Sequence, residues 1–302
     1  QAWKRGQLAI EAALRRRGIE AEVSPREELG LYRVRRKLVS RPLVTIIIPF
    51  RDQPDVLWAC VQSILKKSTY SNYEIIGMNN DSVESETRRV TETLQAMDRR
   101  VRFYDYPGEF NYSAINNNAV ANFAKGEVLI LLNNDIEIES PDWIEAMLQH
   151  AQRPEVGAVG AKLFFPDGRL QHVGVVISNE KPVHIFRGAM IDELRQQGRR
   201  AELTQNYCAV TGACLMIRKA LYEQMNGLNE AVLKIAFNDI DFCLRLYKAG
   251  YVNVFTPEAR MIHYESLSRG QEDTSLPTSR FHEELSFLKT VHADLFSRPD
   301  PY

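Results

Sequence analysis

The stretch VTIIIPF, residues 44–50, decides the fold of this chain. It is an almost continuous run of β-branched and apolar residues, without the alternation of a half-exposed strand, which is typical of a strand buried on both faces of a parallel sheet. Pro54 then fits the first turn of a helix, and the following residues repeat apolar side chains at helical spacing. A buried strand followed directly by an amphipathic helix predicts a βα unit.

The same alternation of strand and helix continues outward from this unit. Four further strands are predicted at YEIIGMNN (73–80), VRFYDY (101–106), EVLILLNND (127–135) and VGAVGAKLFF (156–165), with helices between them. Such an order predicts an α/β fold with a doubly wound, mostly parallel central sheet flanked by helices. Ligands of these sheets bind beyond the carboxyl ends of the strands.

Composition excludes several classes of protein. The chain has 302 residues, 44% of them apolar and 25% charged, with a formal net charge of −1. This balance argues against a disordered chain, a collagen-like chain and a strongly basic nucleic-acid binder. No run of about 18 apolar residues is present, so no membrane-spanning helix is predicted. The four cysteines form no CxxC pair and are predicted to be buried free thiols, as in a reduced cytoplasmic protein.

Three regions are predicted along the chain. Residues 1–42 form an N-terminal lead-in of helix, loop and edge strand, residues 43–278 form the main domain, and residues 279–302 form a C-terminal helical extension. The basic run RVRRKLVSR (33–41) suits a solvated linker face better than a phosphate or membrane site. The chain starts with QAWKRG, without Met or the apolar block of a secretion signal, so we expect a piece of a longer polypeptide.

The predicted strands end in segments that are rich in polar residues. These segments are Pro49-Phe50-Arg51-Asp52 at the end of the first strand, Asn79 and its neighbours at the end of the second, and Asn133-Asn134-Asp135 at the end of the fourth. Parallel strand ends face one crevice, so these side chains are expected to line one site. The chain has no GxGxxG after the first strand and no GxxxxGK[ST], which leaves neither a Rossmann nor a P-loop site.

Three carboxylates and two basic side chains are candidates for chemistry. Asp135 suits Mg²⁺ or Mn²⁺, although by itself it fits an Asx turn better. Asp239 and Asp241 open a predicted helix, where one can cap the helix and the other can interact with its dipole, and the functional alternative is a general base at the start of the helix. His263 follows a strand and could ligate a metal or contact phosphate, and Arg269 could neutralise a phosphate. His172 fits a structural histidine or a pocket wall.

Six segments in order resemble family 2 glycosyltransferases of the GT-A fold. They are VTIIIPFRDQ (44–53), YEIIGMNNDS (73–82), FNYSAINNNAV (110–120), GEVLILLNNDIEI (126–138), FNDIDFCLRLYKAGY (237–251) and HYESLSRG (263–270). The chain is most similar to the rhamnosyltransferase-like subgroup of bacterial O-antigen and surface-polysaccharide assembly. The resemblance implies a single catalytic domain with a nucleotide-binding half at 43–140 and an acceptor half at 141–278. It also implies that the enzyme is one module of a longer polypeptide.

The resemblance further implies roles for individual residues. The donor nucleotide is assigned to Pro49, Phe50, Arg51, Asp52, Asn79, Asn116, Asn133, Asn134 and Arg269, the metal to Asp135 and His263, and the acceptor side to Thr211, Gly212, Asn238 and Asp241. Asn79 and Asn133 stand where many members carry Asp. Asp239 matches the catalytic base of an inverting, metal-assisted transfer that needs a divalent cation, Mg²⁺ or Mn²⁺.

The expected function is therefore sugar transfer from dTDP-rhamnose or a UDP-sugar to a hydroxyl of a growing, lipid-linked bacterial surface glycan. The expected place is the cytoplasm, including the inner face of the bacterial inner membrane, and nucleic acid is not an expected partner. One alternative is a catalytically silent nucleotide- or glycan-binding module of a larger polysaccharide-assembly protein, suggested by Asn79 and Asn133. A nucleotidyltransferase is a second alternative, but PFRDQPD (49–55) lacks the glycine-rich and basic loop of that class.

Overall fold

The structure of the chain is a computed structural model that describes residues 2–26, 30–194, 199–265 and 279–302. The chain divides into two compact units, residues 1–41 and 42–302. The smaller unit consists of helix α1 (Ala2–Arg16) and an antiparallel hairpin of β1 (Ala21–Pro25) and β2 (Tyr32–Arg36). The predicted edge strand is thus β2, and its described hydrogen-bonding partner is β1.

The larger unit contains the remaining strands and helices. Its strands are β3 (Val44–Phe50), β4 (Tyr73–Asn79), β5 (Val101–Asp105), β6 (Val128–Leu132), β7 (Ile136–Ile138), β8 (Val156–Phe164), β9 (Leu170–His172), β10 (Val175–Ser178), β11 (Lys181–His184), β12 (Gln205–Tyr207), β13 (Cys214–Arg218) and β14 (Val252–His263). Its helices are α2 (Pro54–Lys67), α3 (Ser85–Met97), α4 (Tyr112–Asn122), α5 (Trp143–Ala151), α6 (Ile191–Leu194), α7 (Lys219–Gln224), α8 (Asn238–Lys248), α9 (Ser279–Val291) and α10 (Ala293–Phe296).

The main sheet follows the order β12-β14-β8-β13-β6-β3-β4-β5. Strands β6, β3, β4 and β5 are parallel neighbours, which confirms the predicted doubly wound half. Every residue of β3 is buried, as the run VTIIIPF predicts. Between β6 and β8 the sheet departs from parallel order, because β13 lies antiparallel between these two strands. An apolar run indicates that a strand is buried, but it carries no information about strand direction.

Strand β14 carries the chain from the core to the site. It runs parallel to β8 and shifts register between Thr256 and Arg260, around Pro257, which cannot donate a ladder hydrogen bond. Beyond this irregularity it pairs antiparallel with β7, so that His263 lies opposite Ile136. The end of β14 is thereby placed beside the residue that follows Asp135.

The core contains the apolar faces of the predicted helices. Leu57, Cys60, Val61 and Ile64 of α2 are buried, as their helical spacing predicts. Leu288 of α9 and Leu295 of α10 belong to the same core cluster as the buried face of α8. All four cysteines are free and buried, which confirms the prediction made for them. Within the described ranges no helix is long and apolar enough to cross a membrane.

Candidate active site

A cavity of about 280 Å³ opens where the ends of β6 and β14 meet the start of α8. The hairpin strand β11 and the turn before β13 close its other sides. Its lining residues are Phe110, Tyr112, Asn133, Asp135, Gln171, His172, His184, Arg187, Thr211, Gly212, Ala213, Ile235, Ala236, Phe237, Asn238, Asp239, His263, Glu265 and Phe281. The fold thus brings together most of the acidic and basic side chains that the sequence marks for chemistry.

Asp239 lies in the first turn of α8 and faces this cavity. Its Oδ2 accepts the backbone N–H of Gly212 at 2.7 Å, and its Oδ1 accepts that of Ile240 at 2.8 Å. A Cβ at Gly212 would lie 3.3 Å from the Asp239 Cβ, so the absence of a side chain permits this close approach. Backbone amides and the positive end of a helix dipole stabilise a carboxylate, and here they leave its outer side open to the cavity.

Asp135 and His263 form a close pair elsewhere in the same cavity. Asp135 Oδ1 and His263 Nε2 are 3.0 Å apart, and both side chains are largely buried. Asp135 Oδ1 has no hydrogen-bond partner within the described part of the chain. The two atoms are therefore close, but their orientation is not that of a hydrogen bond.

Gln171 determines which nitrogen of His263 carries the proton. The Gln171 Nε2 atom donates to the His263 carbonyl and to Glu265 Oε2, both at 3.3 Å, so its Oε1 is the acceptor at 2.6 Å from His263 Nδ1. Nδ1 is then an N–H donor, and Nε2 lies 3.3 Å from Asn133 Nδ2. A carboxylate oxygen and an imidazole nitrogen thus face each other, and both are atoms that bind divalent cations.

Asp241 occupies a different environment from Asp239. It is buried, receives hydrogen bonds from Arg245 at 2.9 Å and His292 at 2.8 Å, and does not line the cavity. Burial raises the pKa of its carboxyl, but the hydrogen bonds and charges of His292 and Arg245 outweigh burial and hold it below its usual value. Asn238, by contrast, lines the cavity and donates to the carbonyl of Ile235 at 3.1 Å.

Five of the residues assigned to the nucleotide, Pro49, Phe50, Arg51, Asp52 and Asn79, lie at the ends of β3 and β4 and outside the lining of this cavity, whereas Asn133 belongs to the lining. Pro49 and Phe50 are buried in β3, whereas Arg51 is exposed. Asp52 Oδ1 accepts the backbone N–H groups of Val83 and Glu84 at 2.7 and 2.9 Å. These two contacts connect the turn after β3 to the residues that lead into α3.

Asn79 at the end of β4 and Asn116 on α4 make local hydrogen bonds through their amide nitrogens. Asn79 Nδ2 donates to Asp105 at 2.8 Å, so a carboxylate stands beside the amide that replaces the usual Asp. Asn116 is fully buried, and Asn134 is nearly so. In the described residues Asn116 Oδ1 and Asn134 Nδ2 have no hydrogen-bond partner. Arg269 lies outside the described residues.

Several cavity residues are not among the candidates that the sequence indicates. Tyr112 begins α4 and donates its hydroxyl to the Gly212 carbonyl at 3.0 Å. Burial and the nearby Asp239 charge raise its pKa, so it stays protonated. Arg187 binds Glu265 at 2.7 Å, and His184 reaches the cavity from the end of β11. The sequence shows no regular pattern between residues 179 and 206, so only the folded hairpin reveals these side chains.

The fold with this site is that of a GT-A glycosyltransferase. A crystal structure of GalNAc-T7 with UDP, GalNAc and Mn²⁺ superposes with a TM-score of 0.68, covering 85% of this chain and 50% of that one at 13% identity. A mannosyltransferase from Pyrobaculum calidifontis, in complex with GDP-Man and Mn²⁺, superposes with a TM-score of 0.56 at 16% identity, covering 87% of this chain and 66% of that one. At these identities the likeness establishes the fold alone, and it confirms the fold that the sequence predicts.

The chain belongs to glycosyl transferase family 2, whose sequence profile matches residues 45–225. It is 46% identical to the protein y4gI of Sinorhizobium fredii and 39% identical to the O-antigen biosynthesis protein RfbC of Myxococcus xanthus, over 85% and 89% of this chain. It spans only 28% and 21% of those two proteins. It is also 27% identical, over 57% of this chain and 58% of the relative, to an N-acetylglucosaminyl-diphospho-decaprenol L-rhamnosyltransferase of Mycobacterium tuberculosis. These results confirm the predicted family and identify the chain as a glycosyltransferase.

Proposed function

We propose that the chain is an inverting glycosyltransferase that moves a sugar from a nucleotide-diphosphate donor to a hydroxyl of a bacterial surface glycan. The observation that carries this proposal is the position of Asp239, whose carboxylate is held by two backbone N–H groups and faces the cavity. In the reaction the acceptor oxygen bonds to the anomeric carbon as the bond to the diphosphate breaks. Asp239 takes the hydroxyl proton, and single displacement inverts the anomeric centre.

A divalent cation fits the residues that are present. Asp135 Oδ1, without a hydrogen bond in the described ranges, and His263 Nε2 would supply an oxygen and a nitrogen ligand in the same cavity as Asp239. The described residues contain no group of three metal-ligating side chains, so the remaining ligands would come from the donor diphosphate and water. When bound, Mg²⁺ or Mn²⁺ supplies charge neutralisation for the leaving diphosphate.

The nucleotide is assigned to the strand ends next to the cavity. Arg51, Asp52, Asn79 and Asn116, together with Pro49 and Phe50, lie at the ends of β3 and β4 or on the following α4, as a base and ribose site requires. Asn133 and Asn134 connect this region to Asp135. The Asn79–Asp105 hydrogen bond keeps a carboxylate at a position that would otherwise lose its charge. Arg269 remains a proposed phosphate contact.

The donor and acceptor classes are proposed from the relatives. The name of the mycobacterial relative favours a rhamnosyl donor, for which dTDP-rhamnose is the first candidate, with UDP-sugars second. The name of the Myxococcus relative favours an O-antigen-type glycan acceptor, which Thr211, Gly212, Asn238 and Asp241 were expected to face. We place the enzyme in the cytoplasm or at the inner face of the inner membrane, as one module of a longer polypeptide.

A panel of nucleotide sugars tests this function. Each is added with and without Mn²⁺, and the shift of the melting temperature, donor hydrolysis and transfer to glycan acceptors are measured. A bound donor raises the melting temperature by mass action, and we expect this shift to depend on Mn²⁺ in the unaltered protein but not in Asp135→Asn. Asp167→Asn, which removes an exposed carboxylate from the turn before β9, is the charge-matched control.

The outcomes separate the candidate functions. Transfer that survives removal of divalent cations by EDTA would contradict the metal assignment but not the activity. Donor binding without hydrolysis or transfer would instead identify a silent binding module. If no nucleotide sugar is bound or consumed, the proposed function is wrong.

A further inference from the structure

Two histidines form a hydrogen-bonded pair in the wall of the cavity, and the first of them follows Gln171, which contacts His263. His172 ends β9 and His184 ends β11, and their Nδ1 atoms are 3.0 Å apart with the rings nearly perpendicular. Both histidines line the cavity that contains Asp239. Neither is a ligand or a base in the transfer derived above.

The backbone of Thr211 fixes the tautomer of His172. Its N–H donates to His172 Nε2 at 3.3 Å, so this nitrogen holds a lone pair and the proton of the neutral ring is on Nδ1. Burial, followed by the neighbouring His184, holds the pKa of His172 well below its usual value, which keeps the ring neutral. His172 is therefore a donor toward His184.

The tautomer of His184 follows from that of His172. Two N–H groups cannot share one hydrogen bond, so His184 Nδ1 is the acceptor and its proton is on Nε2. Burial lowers the pKa of His184 overall, although the charge of Asp239 raises it, so this ring is neutral too. None of the described residues accepts a hydrogen bond from His184 Nε2. A fixed N–H donor is thus available in a cavity that contains the carboxylate of Asp239.

One dipeptide connects this pair to Asp239. The N–H of Thr211 points to His172, and the next N–H, that of Gly212, points to Asp239 Oδ2 at 2.7 Å. The histidine pair and the carboxylate are therefore positioned by the same turn. A sugar that lies against Asp239 would meet the His184 N–H as well.

We infer that His184 donates a hydrogen bond from Nε2 to a hydroxyl of the sugar bound beside Asp239, and that His172 is a positioning residue that fixes the His184 tautomer. This inference rests on the proposed function for the identity of the ligand. The hydroxyl belongs to the donor sugar or to the acceptor sugar, and the same chemistry serves both. His184 thereby contributes to sugar selection without taking part in bond breaking.

Nuclear magnetic resonance of the full chain labelled with nitrogen-15 histidine tests the tautomers without need of activity. We expect the resting protein to carry Nδ1–H on His172 and Nε2–H on His184, with signals assigned from His172→Phe and His184→Gln. In His172→Phe the His184 proton should distribute over both nitrogens, an effect that a merely structural role of His172 would not produce. A resting His184 with its proton on Nδ1 would overturn the inference.

The sugars themselves identify the source of the hydroxyl. dTDP-L-rhamnose, L-rhamnose and N-acetylglucosamine are titrated separately in the presence of Mg²⁺, and the His184 Nε2–H signal is followed. Movement with the rhamnosyl ligands assigns the contact to the donor sugar, whereas movement with N-acetylglucosamine assigns it to the acceptor. A signal that none of the three moves overturns the inference, even if transfer is found. A moved signal without transfer by the unaltered protein would overturn the proposed function alone.

Matched variants give the kinetic test. His184→Phe should lower kcat/KM for the contacted sugar by about 5- to 150-fold, because the sugar hydroxyl is left unpaired. His184→Gln keeps an amide N–H donor and should recover most of this loss. KM for the other substrate should stay nearly unchanged in both variants. Equal impairment of the two variants, or no impairment in either, would overturn the inference.

Discussion

Two carboxylates of one helical turn, Asp239 and Asp241, lie in opposite kinds of environment. Asp239 accepts only backbone N–H groups in the described contacts and faces the cavity. Asp241 is buried on the other side of α8, where Arg245 and His292 compensate its charge. The segment Asn-Asp-Ile-Asp thus places one carboxylate where a substrate can reach it and the other where the C-terminal helices pack.

The difference shows what makes a carboxylate suitable as a base. A fully paired and buried carboxylate has no free lone pair for an incoming hydroxyl, whereas one held by amides on a cavity wall keeps one. Sequence reasoning placed both Asp239 and Asp241 near the acceptor. The structure brings Asp239 to the cavity with Thr211, Gly212 and Asn238, but it places Asp241 in contact with the C-terminal segment.

The largest effect is expected for Asp239→Asn. The amide keeps the shape of the side chain but cannot take up the proton of the attacking sugar hydroxyl. We therefore expect kcat to fall about 10²- to 10⁴-fold. Urea unfolding should change little, because the carboxylate makes no ion pair among the described residues. Steady-state transfer with the active donor measures the loss, with Asp167→Asn as control. Transfer within tenfold of the unaltered protein would exclude Asp239 as the base.

Asp241→Ala should act on stability instead of chemistry. It leaves Arg245 and His292 without their common buried acceptor, and breaking a buried ion pair costs about 3–5 kcal/mol. Equilibrium unfolding in urea measures this cost. The folded fraction of the variant should transfer sugar within a few-fold of the unaltered protein. A variant as stable as the parent, but inactive, would reverse the roles given to the two residues.

A smaller effect is expected for His292→Phe, together with a change in pH dependence. Removing one hydrogen bond to a buried charge costs about 1.5–3 kcal/mol.

The pKa of the Asp241 carboxyl is lowered in the folded state. The stabilisation that Asp241 contributes is therefore complete above its usual pKa of about 3.9, and it is lost as the pH falls through the lower folded value. Unfolding curves should show the difference between parent and Asp241→Asn narrowing in that acid range. If the difference in stability between the parent and Asp241→Asn did not change with pH, the predicted pH dependence would be wrong.

The smallest effect concerns Cys243, which lies on the buried side of the same helix. Burial raises the pKa of its thiol, and all four cysteines are buried, so a thiol reagent should modify the native protein very slowly. Asp241→Ala should accelerate modification by loosening the contact with the C-terminal helices, whereas Asp239→Asn should not. Absorbance after addition of an aromatic disulfide reagent follows the reaction. Equal acceleration in both variants would mean that the two carboxylates support the fold alike.

Much of the fold between residues 43 and 140 was predictable from local patterns. The strand VTIIIPF and the helix after it could be predicted from the run of apolar residues and the spacing of apolar residues, which are properties of neighbouring residues in the chain. The direction of β13 was not predictable, because antiparallel and parallel buried strands have the same composition. The cavity face formed by His184 and Arg187 was not predictable either, because the hairpin β10–β11 carries an alternation too short and too polar to be recognised.

The sequence by itself determined the alternation of strands and helices, the burial of β3, and the candidates Asp135, Asp239 and His263. These depend on residue type and spacing along the chain. Only the tertiary structure decided the partners of these groups: Gln171 for His263 Nδ1, backbone amides for Asp239, and His292 with Arg245 for Asp241. Protonation and reactivity depend on neighbours that are distant in sequence, and these neighbours meet only when the sheet closes around the cavity.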